Sequence, residues 1–324
     1  MNKEIQMTEY EYNAKVMGTD LSIAIVTNSK ELSNSIYAEN LKKIQNYEKR
    51  FSRFLSESEL SQLNKAKNMV VSPVFMEVFL KANELFLETD GFFNPLVQIE
   101  RFGYNKTFAE IEKTETCGDE RNVENKRNNE SEKNYNIDFS SIVIDQNLSK
   151  ITLEAGQKLD FGGFLKGYLA EKIAKEIKAN FEKIDSKKFG GVIVNLGGDI
   201  HTQGLDANKQ KFVFNIYNPV TAKDEIAVTL YNESLATSGT YKRLWQNSGE
   251  TIHHILDKSG TKNPTSNIIS ASVINSDGGK ADAYTKIFIS LESELALEKL
   301  QKKNDNKIKF IIIKNNGEIV KKID

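Results

Sequence analysis

The sequence predicts a protein of the α/β class, of the α+β type, with mixed and largely antiparallel sheets flanked by helices. Three observations carry this prediction. Strand-like runs and amphipathic helical runs follow one another irregularly, without the strict alternation of a doubly wound fold. Several strand-like runs are separated only by short turn signals, which favours antiparallel neighbours. No internal repeat is present, so a solenoid or propeller is not expected.

Length and composition are those of an ordinary globular protein. The chain has 324 residues, of which 39% are hydrophobic and 27% charged, and this suits two domains or one large domain. Lysine and arginine number 44 and aspartate and glutamate 45, so the net charge is 44 − 45 = −1. This balance excludes a nucleic-acid binder held by bulk positive charge, although a local basic groove stays possible.

Neither a membrane span nor a disulfide is predicted. No apolar run approaches the roughly 20 residues that cross a bilayer. Residues 1–4 are polar and lack the apolar segment of a secretory signal, so we expect a cytoplasmic protein. Cys117 is the one cysteine of the sequence, which excludes an internal disulfide and a cysteine-rich zinc site.

The first half of the chain carries one strand pattern and two helix patterns. The run 21–26 is apolar and rich in β-branched residues, as in a buried strand. Ser29 can cap a following helix. The apolar stripe of that helix comprises Leu32, Ile36, Ile44, Tyr47 and Phe51. Ser72 and Pro73 provide a cap and a first helical position for a second helix, and Gly91 follows its end, where a left-handed residue is often needed.

The segment 114–136 differs in composition from the rest of the chain. It is rich in glutamate, asparagine and lysine and nearly devoid of large apolar residues. Such a segment cannot bury enough surface to offset the entropy lost on ordering. We therefore predict a mobile polar surface loop, with Cys117 as an exposed thiol on it.

The second half contains most of the predicted strands. Leu165, Leu169, Ile173 and Ile177 are spaced by four and predict an amphipathic helix. Two further helices are predicted at 281–291 and 292–302. Strands are predicted at 142–144, 151–153, 192–196, 212–216, 226–230, 268–274 and 310–313.

A first candidate site lies where paired glycines open a helix. Gly162 and Gly163 precede the helix, and Lys166 falls on its first turn. Backbone N–H groups and the positive helix end suit a phosphate, to which Lys166 adds a charge. The spacing is not that of a Walker loop. A tight strand-to-helix turn with an exposed lysine explains the cluster equally well.

A second candidate site follows the strand 192–196. Gly197, Gly198 and Asp199 end this apolar run, and such a turn lets a ligand approach the backbone closely. A turn closed by an aspartate hydrogen bond is the better explanation of these residues taken alone.

Two later segments carry titratable groups. His253 and His254 are adjacent, so on a strand their side chains point to opposite faces and one at most faces a given site. This disfavours a metal held by the pair. Asp282 lies at a predicted helix start, where it could ligate a hard cation or simply complement the helix dipole.

The order of these motifs resembles that of one known family. The series comprises Met17-Gly18-Thr19, Phe51-Ser52-Arg53-Phe54, Ser58-Glu59-Leu60, Leu63-Asn64, Asp90 to Pro95, Asp160 to Tyr168, Asn195 to Asp199, Ser238 to Tyr241, His254 to Asp257 and Ala281-Asp282-Ala283. In this order, over roughly residues 14–290, they resemble the FAD:protein FMN transferase family, the ApbE-like flavin transferases.

The resemblance implies an activity, a cofactor set and a partner. Family members bind FAD and a divalent cation, usually Mg²⁺, and move FMN from FAD to a serine or threonine hydroxyl of an acceptor protein, with release of AMP. Some also hydrolyse FAD to FMN and AMP. The implied fold is a single ApbE-like domain over residues 1–324. A non-catalytic FAD-binding protein is the remaining alternative.

The resemblance also implies roles for individual residues. Lys166, His254 and Asp282 are the expected catalytic residues; His254 would act as general base, because its unperturbed pKa of about 6.5 lies near working pH. The residues expected to contact FAD are Met17, Asn64, Asp90, Phe92, Lys166, Gly197, Gly198, Asp199, Thr240 and His254. The expected metal ligands are Gly163, through its carbonyl, Asp282 and Thr285.

The metal site is where the sequence departs from the family pattern. The family has a threonine four positions after the aspartate, whereas here Thr285 comes at three positions and Lys286 occupies the fourth. An ammonium group cannot ligate Mg²⁺ and repels it at close range. Three arrangements are open: Lys286 points away, Lys286 pairs with Asp282 in place of the cation, or the site is degraded.

Overall fold

The computed structural model describes residues 6–102, 135–247, 250–301 and 308–323. The contacts of the chain group it into two compact units. The first unit comprises Met1–Asn46, Phe164–Gly239 and Asn267–Asp324, and the second comprises Tyr47–Gly163 and Thr240–Ser266. The single domain expected over the whole chain stays a prediction.

The described residues form six α-helices and fifteen strands. The helices are α1 Lys30–Phe51, α2 Glu59–Ala66, α3 Pro73–Glu88, α4 Leu165–Asp185, α5 Gly278–Ser290 and α6 Ser293–Gln301. The strands are β1 Thr8–Val16, β2 Thr19–Thr27, β3 Asn68–Val70, β4 Val143–Asp145, β5 Lys150–Thr152, β6 Phe189–Leu196, β7 Asp199–Gly204, β8 Phe212–Asn218, β9 Lys223–Leu230, β10 Ser234–Gly239, β11 Leu244–Asn247, β12 Glu250–His253, β13 Ile268–Asn275, β14 Lys309–Lys314 and β15 Ile319–Lys322.

The first unit is built on an eight-stranded sheet in the order β1-β2-β6-β7-β10-β13-β14-β15. Every neighbouring pair in this sheet is antiparallel, which confirms the predicted α+β class with largely antiparallel sheets. Strands β8 and β9 form a separate antiparallel hairpin in the same unit. The connections β1–β2, β6–β7 and β14–β15 are short, which suits this pairing because antiparallel strands need no crossover helix.

The core of the first unit lies between the sheet and its helices. The predicted stripe of α4 is confirmed, since Leu165, Leu169, Ile173 and Ile177 are all buried. Helix α5 is buried on nearly every side, unlike an amphipathic surface helix. It therefore brings even its polar residues into the interior.

The second unit contains α2, α3 and two small sheets, β3-β5-β4 and β11-β12. The predicted start of α3 is confirmed, because Ser72 accepts a hydrogen bond from the Phe75 N–H at 3.2 Å and Pro73 is the first helical residue. Gly91 follows the helix with φ of 77°. Asp90 is also left-handed, with φ of 50°, which the sequence pattern did not predict.

One difference from the predicted elements concerns the site. Helix α5 begins at Gly278, three residues before the predicted start, because the Asp277 carboxylate accepts the Lys280 N–H at 2.9 Å and caps the helix there. Asp282 thus lies inside the helix, beyond its first turn. Most of the predicted loop 114–136, with Cys117, falls outside the described residues. Within the described ranges no helix is long and apolar enough to cross a membrane.

Candidate functional site

Two helices of the first unit cross closely enough to bring a lysine and two aspartates together. A Cβ atom on Gly167 of α4 would lie 2.3 Å from the Gly278 carbonyl oxygen, and one on Gly278 would lie 2.1 Å from the Gly167 carbonyl oxygen. Only glycine permits this approach. At the same crossing the Glu171 carboxylate of α4 accepts the Gly278 N–H at 2.6 Å and so caps the start of α5.

Lys166 is the second residue of α4 and contacts a buried carboxylate. Its ammonium group forms an ion pair with Asp199, the first residue of β7, which is 2% exposed. Burial raises the pKa of Asp199, the charge of Asp282 raises it further, and Lys166 and Lys286 oppose the rise. The predicted placement of Lys166 on the first helical turn is confirmed, and its ammonium group is engaged with Asp199.

Asp282 is held by the lysine one turn further along α5. The Lys286 ammonium contacts the Asp282 Oδ1 and lies 2.9 Å from the Asp282 carbonyl oxygen. The Thr285 hydroxyl also donates to that carbonyl, at 2.6 Å, and its oxygen lies 2.6 Å from the Ser238 hydroxyl. Asp282 Oδ2 is buried and has no hydrogen-bond partner among the described residues.

These four residues, Lys166, Asp199, Asp282 and Lys286, form what we call the lysine–aspartate cluster. Both carboxylates are almost fully buried, and the lysine side chains are 22% and 16% exposed. Buried charges are tolerated when they are paired, because removing one partner leaves an uncompensated charge in a medium of low polarity. Two carboxylates and two ammonium groups balance, and the ammonium groups are the more exposed members.

The glycine turn next to this cluster lies against the turn that joins β1 to β2. Met17 and Gly18 form that first turn with φ of 55° and 67°. Gly197 and Gly198 have φ of 68° and 97°, and a Cβ on Gly197 would lie 2.4 Å from the Thr19 Oγ1. The structure thus brings the predicted residues Met17, Gly197 and Gly198 together in the first unit.

In the second unit the Asn64 side chain forms hydrogen bonds with the backbone. Its amide donates to the Leu159 carbonyl at 2.9 Å and accepts the Leu159 N–H at 2.7 Å. Asp160, which follows Leu159, accepts the Gly162 N–H at 2.8 Å and pairs with Arg53 at 3.4 Å. Asn64 therefore fixes the chain that leads to the paired glycines.

This part of the second unit also contains a cavity of about 360 Å³. Its lining is Arg53, Ser61, Asn64, Lys65, Val97, Gln98, Glu100, Lys158, Leu159 and Asp160. Two of its charges neutralise each other, because Lys158 pairs with Glu100 at 2.5 Å.

Other predicted ligand-contacting residues of the second unit lie on turns. Phe92 follows the left-handed Asp90 and is half-buried, with the Lys258 ammonium 5.5 Å from its ring centroid. Thr240 directly follows β10 and is also half-buried. Gly163 lies in the turn before α4.

His253 and His254 differ in surroundings. His253 ends β12, and burial lowers its pKa to about 4, so it is neutral near pH 7. His254 follows the strand at a bend and is half-buried. Asn263 holds the backbone on both sides of it, donating to the His253 and Ile255 carbonyls at 2.8 and 2.7 Å and accepting the His253 N–H at 3.0 Å.

The structure groups the predicted site residues by unit. The first unit contains Met17, Lys166, Gly197, Gly198, Asp199, Asp282 and Thr285, and the second contains Asn64, Asp90, Phe92, Gly163, Thr240 and His254. The sequence did not predict the helix-crossing role of Gly167 and Gly278 or the role of Asn263. A glycine inside a helical pattern was the available signal for Gly167. No local sequence pattern distinguishes Asn263.

The residues around Asp282 do not fit a Mg²⁺ ion. The carboxylate Oδ1 and the carbonyl of Asp282 face an ammonium group, and the Thr285 hydroxyl is engaged with Asp282 and Ser238. Only Oδ2 remains as a protein ligand, and a Mg²⁺ ion bound to this carboxylate would meet the Lys286 ammonium, which cannot act as a ligand and repels the ion. No group of three or more His, Cys, Asp or Glu side chains suited to a metal occurs in the described part of the chain.

The fold and these residues define a class of protein. It is an α+β protein in which the N-terminal end of a long helix carries a lysine beside two buried aspartates and glycine turns. A helix N-terminus with a lysine suits a phosphate-containing ligand.

The chain belongs to the ApbE family, whose family model matches residues 17–312. It is 23% identical over 322 residues to the FAD:protein FMN transferase of Klebsiella pneumoniae, covering 96% of this chain and 91% of that protein. The enzyme of the same name from Haemophilus influenzae is 23% identical over 287 residues, covering 84% of this chain and 77% of that protein.

Solved structures of the family share the fold over nearly the whole chain. The ApbE protein of Thermotoga maritima matches with a TM-score of 0.77 and 22% identity, covering 97% of both chains. The apo flavinyl transferase ApbE of Pseudomonas stutzeri matches with a TM-score of 0.75 and 16% identity, covering 99% of this chain and 96% of that chain.

Proposed function

We propose that this protein is an FAD:protein FMN transferase. The observation that carries the proposal is the family match over residues 17–312, together with two relatives of that activity that align over most of the chain. The lysine-bearing start of α4 supports it, because the donor FAD contains a pyrophosphate whose charge must be neutralised during transfer.

The proposed reaction transfers the FMN group of FAD to a hydroxyl of the acceptor protein. The oxygen of an acceptor serine or threonine hydroxyl attacks the FMN-side phosphorus of FAD. The bond between that phosphorus and the bridging oxygen breaks, and AMP leaves with the bridging oxygen. The hydroxyl proton passes to a base, and the product is a phosphoester between FMN and the acceptor protein.

Each predicted site residue receives a role in this proposal. Lys166 donates to the pyrophosphate, and His254 accepts the hydroxyl proton. Asp199 and Asp282 hold the ammonium groups of the cluster in place. We assign contact with FAD to Met17, Asp90, Phe92, Gly197, Gly198 and Thr240, and we assign Asn64 a positioning role through the segment that it fixes.

The predicted Mg²⁺ enters no step of this proposal. Bound at Asp282, a divalent cation would neutralise phosphate charge. The predicted ligand set of Gly163, Asp282 and Thr285 stays a prediction, and the contacts of Asp282 and Thr285 argue against it. The cytoplasmic location stays a prediction as well.

A transfer assay tests the proposal. The full chain is incubated with FAD and an acceptor domain that carries a serine or threonine flavinylation site. We expect a fluorescent flavin band on the acceptor after denaturing electrophoresis and an equal amount of AMP. The acceptor with that hydroxyl residue replaced by alanine is the control. AMP and free FMN without an acceptor band would instead indicate an FAD pyrophosphatase, and no AMP with bound FAD would indicate a non-catalytic binding protein.

A further inference from the structure

Lys286 pairs with Asp282, the residue at which the sequence predicts a divalent cation. Its ammonium group contacts both the carboxylate Oδ1 and the carbonyl oxygen of Asp282. An ion pair four residues apart on an exposed helix contributes little. This pair is different, because the two side chains are only 16% and 4% exposed.

The charges of the lysine–aspartate cluster balance without a further cation. Asp199 and Asp282 carry two negative charges when ionised, and Lys166 and Lys286 carry two positive charges. A divalent ion at Asp282 would meet the Lys286 ammonium at close range, where repulsion is strong because the surroundings are poorly hydrated.

Lys286 also retains capacity to bind an anion. An ammonium group has three N–H donors, and the contacts with Asp282 use two. The Lys286 side chain is more exposed than that of Asp282, so the remaining donor can reach a ligand.

We propose that Lys286 is the resident cation of this site and binds the donor pyrophosphate in place of a divalent metal. FAD binding and AMP release then require no Mg²⁺. This inference rests on the proposed function for the identity of the ligand, whereas the exclusion of the metal rests on the contacts of Asp282 alone.

The test measures metal binding and FAD binding on the full chain. Mn²⁺, used as the probe for a Mg²⁺ site, is followed by electron paramagnetic resonance, and FAD affinity is followed by flavin fluorescence with EDTA or with Mg²⁺. We expect no stoichiometric Mn²⁺ binding and the same FAD affinity in both solutions. Lys286→Met, which keeps the aliphatic stem, should weaken FAD binding about 10- to 100-fold, the effect of losing a hydrogen bond to a charged group.

Lys178→Met is the matched control, because Lys178 also pairs with an acid four residues away but is 37% exposed. It should bind FAD as the unaltered protein does, and circular dichroism checks the fold of both variants. Mn²⁺ binding that Asp282→Asn removes would overturn the inference. So would an FAD affinity that EDTA lowers about tenfold or more, or one that Lys286→Met leaves unchanged.

The outcomes separate this inference from the proposed function. Metal-independent FAD binding with no covalent transfer to any acceptor would contradict the transferase and leave Lys286 as the resident cation. Transfer that stops on addition of EDTA would support the transferase and overturn the inference. Absence of FAD binding in both solutions would contradict both.

Discussion

His201 is a fully buried histidine whose two ring nitrogens are both engaged. The Gln203 amide nitrogen lies 2.8 Å from its Nε2, so Nε2 accepts, and the proton on Nδ1 points to the Ser234 hydroxyl at 2.6 Å. Burial lowers the pKa of His201 from 6.5 to about 3; the charge of Lys175 adds to this and Asp277 opposes it. The folded state therefore holds this ring neutral.

This arrangement predicts loss of stability in mild acid. Below pH 6.5 the unfolded chain binds a proton at His201 that the folded state does not bind, so stability is complete above 6.5 and falls as pH drops toward about 3. The slope from this group approaches about 1.4 kcal/mol per pH unit. Urea unfolding of His201→Gln should show a smaller pH dependence than the unaltered protein, and His253, whose pKa burial also lowers, should contribute part of what remains. An unchanged slope would contradict the account.

Asn263 supports the segment that carries His254. Its three backbone hydrogen bonds fix the chain on both sides of His254. Asn263→Ala should lower kcat for FMN transfer by about tenfold or more, while KM for FAD changes little, because it displaces the proposed base and not the donor. Asn263→Asp keeps the acceptor for the His253 N–H but sets a carboxylate oxygen against two carbonyl oxygens, so it should lose at least as much.

The control for Asn263 is Asn208→Ala, since Asn208 is exposed and remote in sequence. It should leave kcat unchanged. A loss of stability in Asn263→Ala with kcat of the folded protein unchanged would show that the residue acts only in folding.

At the scale of elements, the crossing of α4 and α5 depends on two glycines. Gly167→Ala should destabilise the protein by about 1–3 kcal/mol through overpacking, although alanine favours helix by about 1 kcal/mol. The added methyl group would also lie 3.0 Å from the Asp282 Cβ, so FAD affinity should fall too. Lys178→Ala, at a partly exposed position of the same helix, is the control and should not lower stability by that amount. Stability equal to that of the unaltered protein would show that the crossing tolerates a side chain.

Elements with strong periodicity could be predicted from the sequence, and short polar strands could not. The stripe of α4 and the apolar run of β6 carry a local signal that packing only confirms. Strands β7 and β10, with the sequences DIHTQG and SLATSG, have little apolar alternation. They are strands because their neighbours in the sheet supply hydrogen bonds, and that information is distant in sequence.

The candidate site could be predicted to a similar extent. Lys166 and Asp282 are indicated by motifs, and the pairing of Lys286 with Asp282 is one of the three arrangements that the sequence leaves open. The contact of Lys166 with Asp199 could not be predicted, because it depends on how β7 is placed against α4. The hydrogen bonds of Asn263 to the backbone around His254 likewise depend on loop geometry.

At the scale of the whole molecule, the fold is retained while most of the sequence has changed. Two solved relatives match nearly the whole chain with identities of 16% and 22%. Side-chain chemistry can therefore differ at many positions without loss of the architecture.

The central claim is that this chain transfers FMN covalently to a protein hydroxyl. The most direct measurement is the intact mass of a purified acceptor protein after incubation with FAD and the full chain. The account predicts a mass increase of one FMN group less water, located on a serine or threonine by fragmentation and matched by one AMP released. An acceptor of unchanged mass, while FAD is bound or is converted to free FMN and AMP, would contradict it.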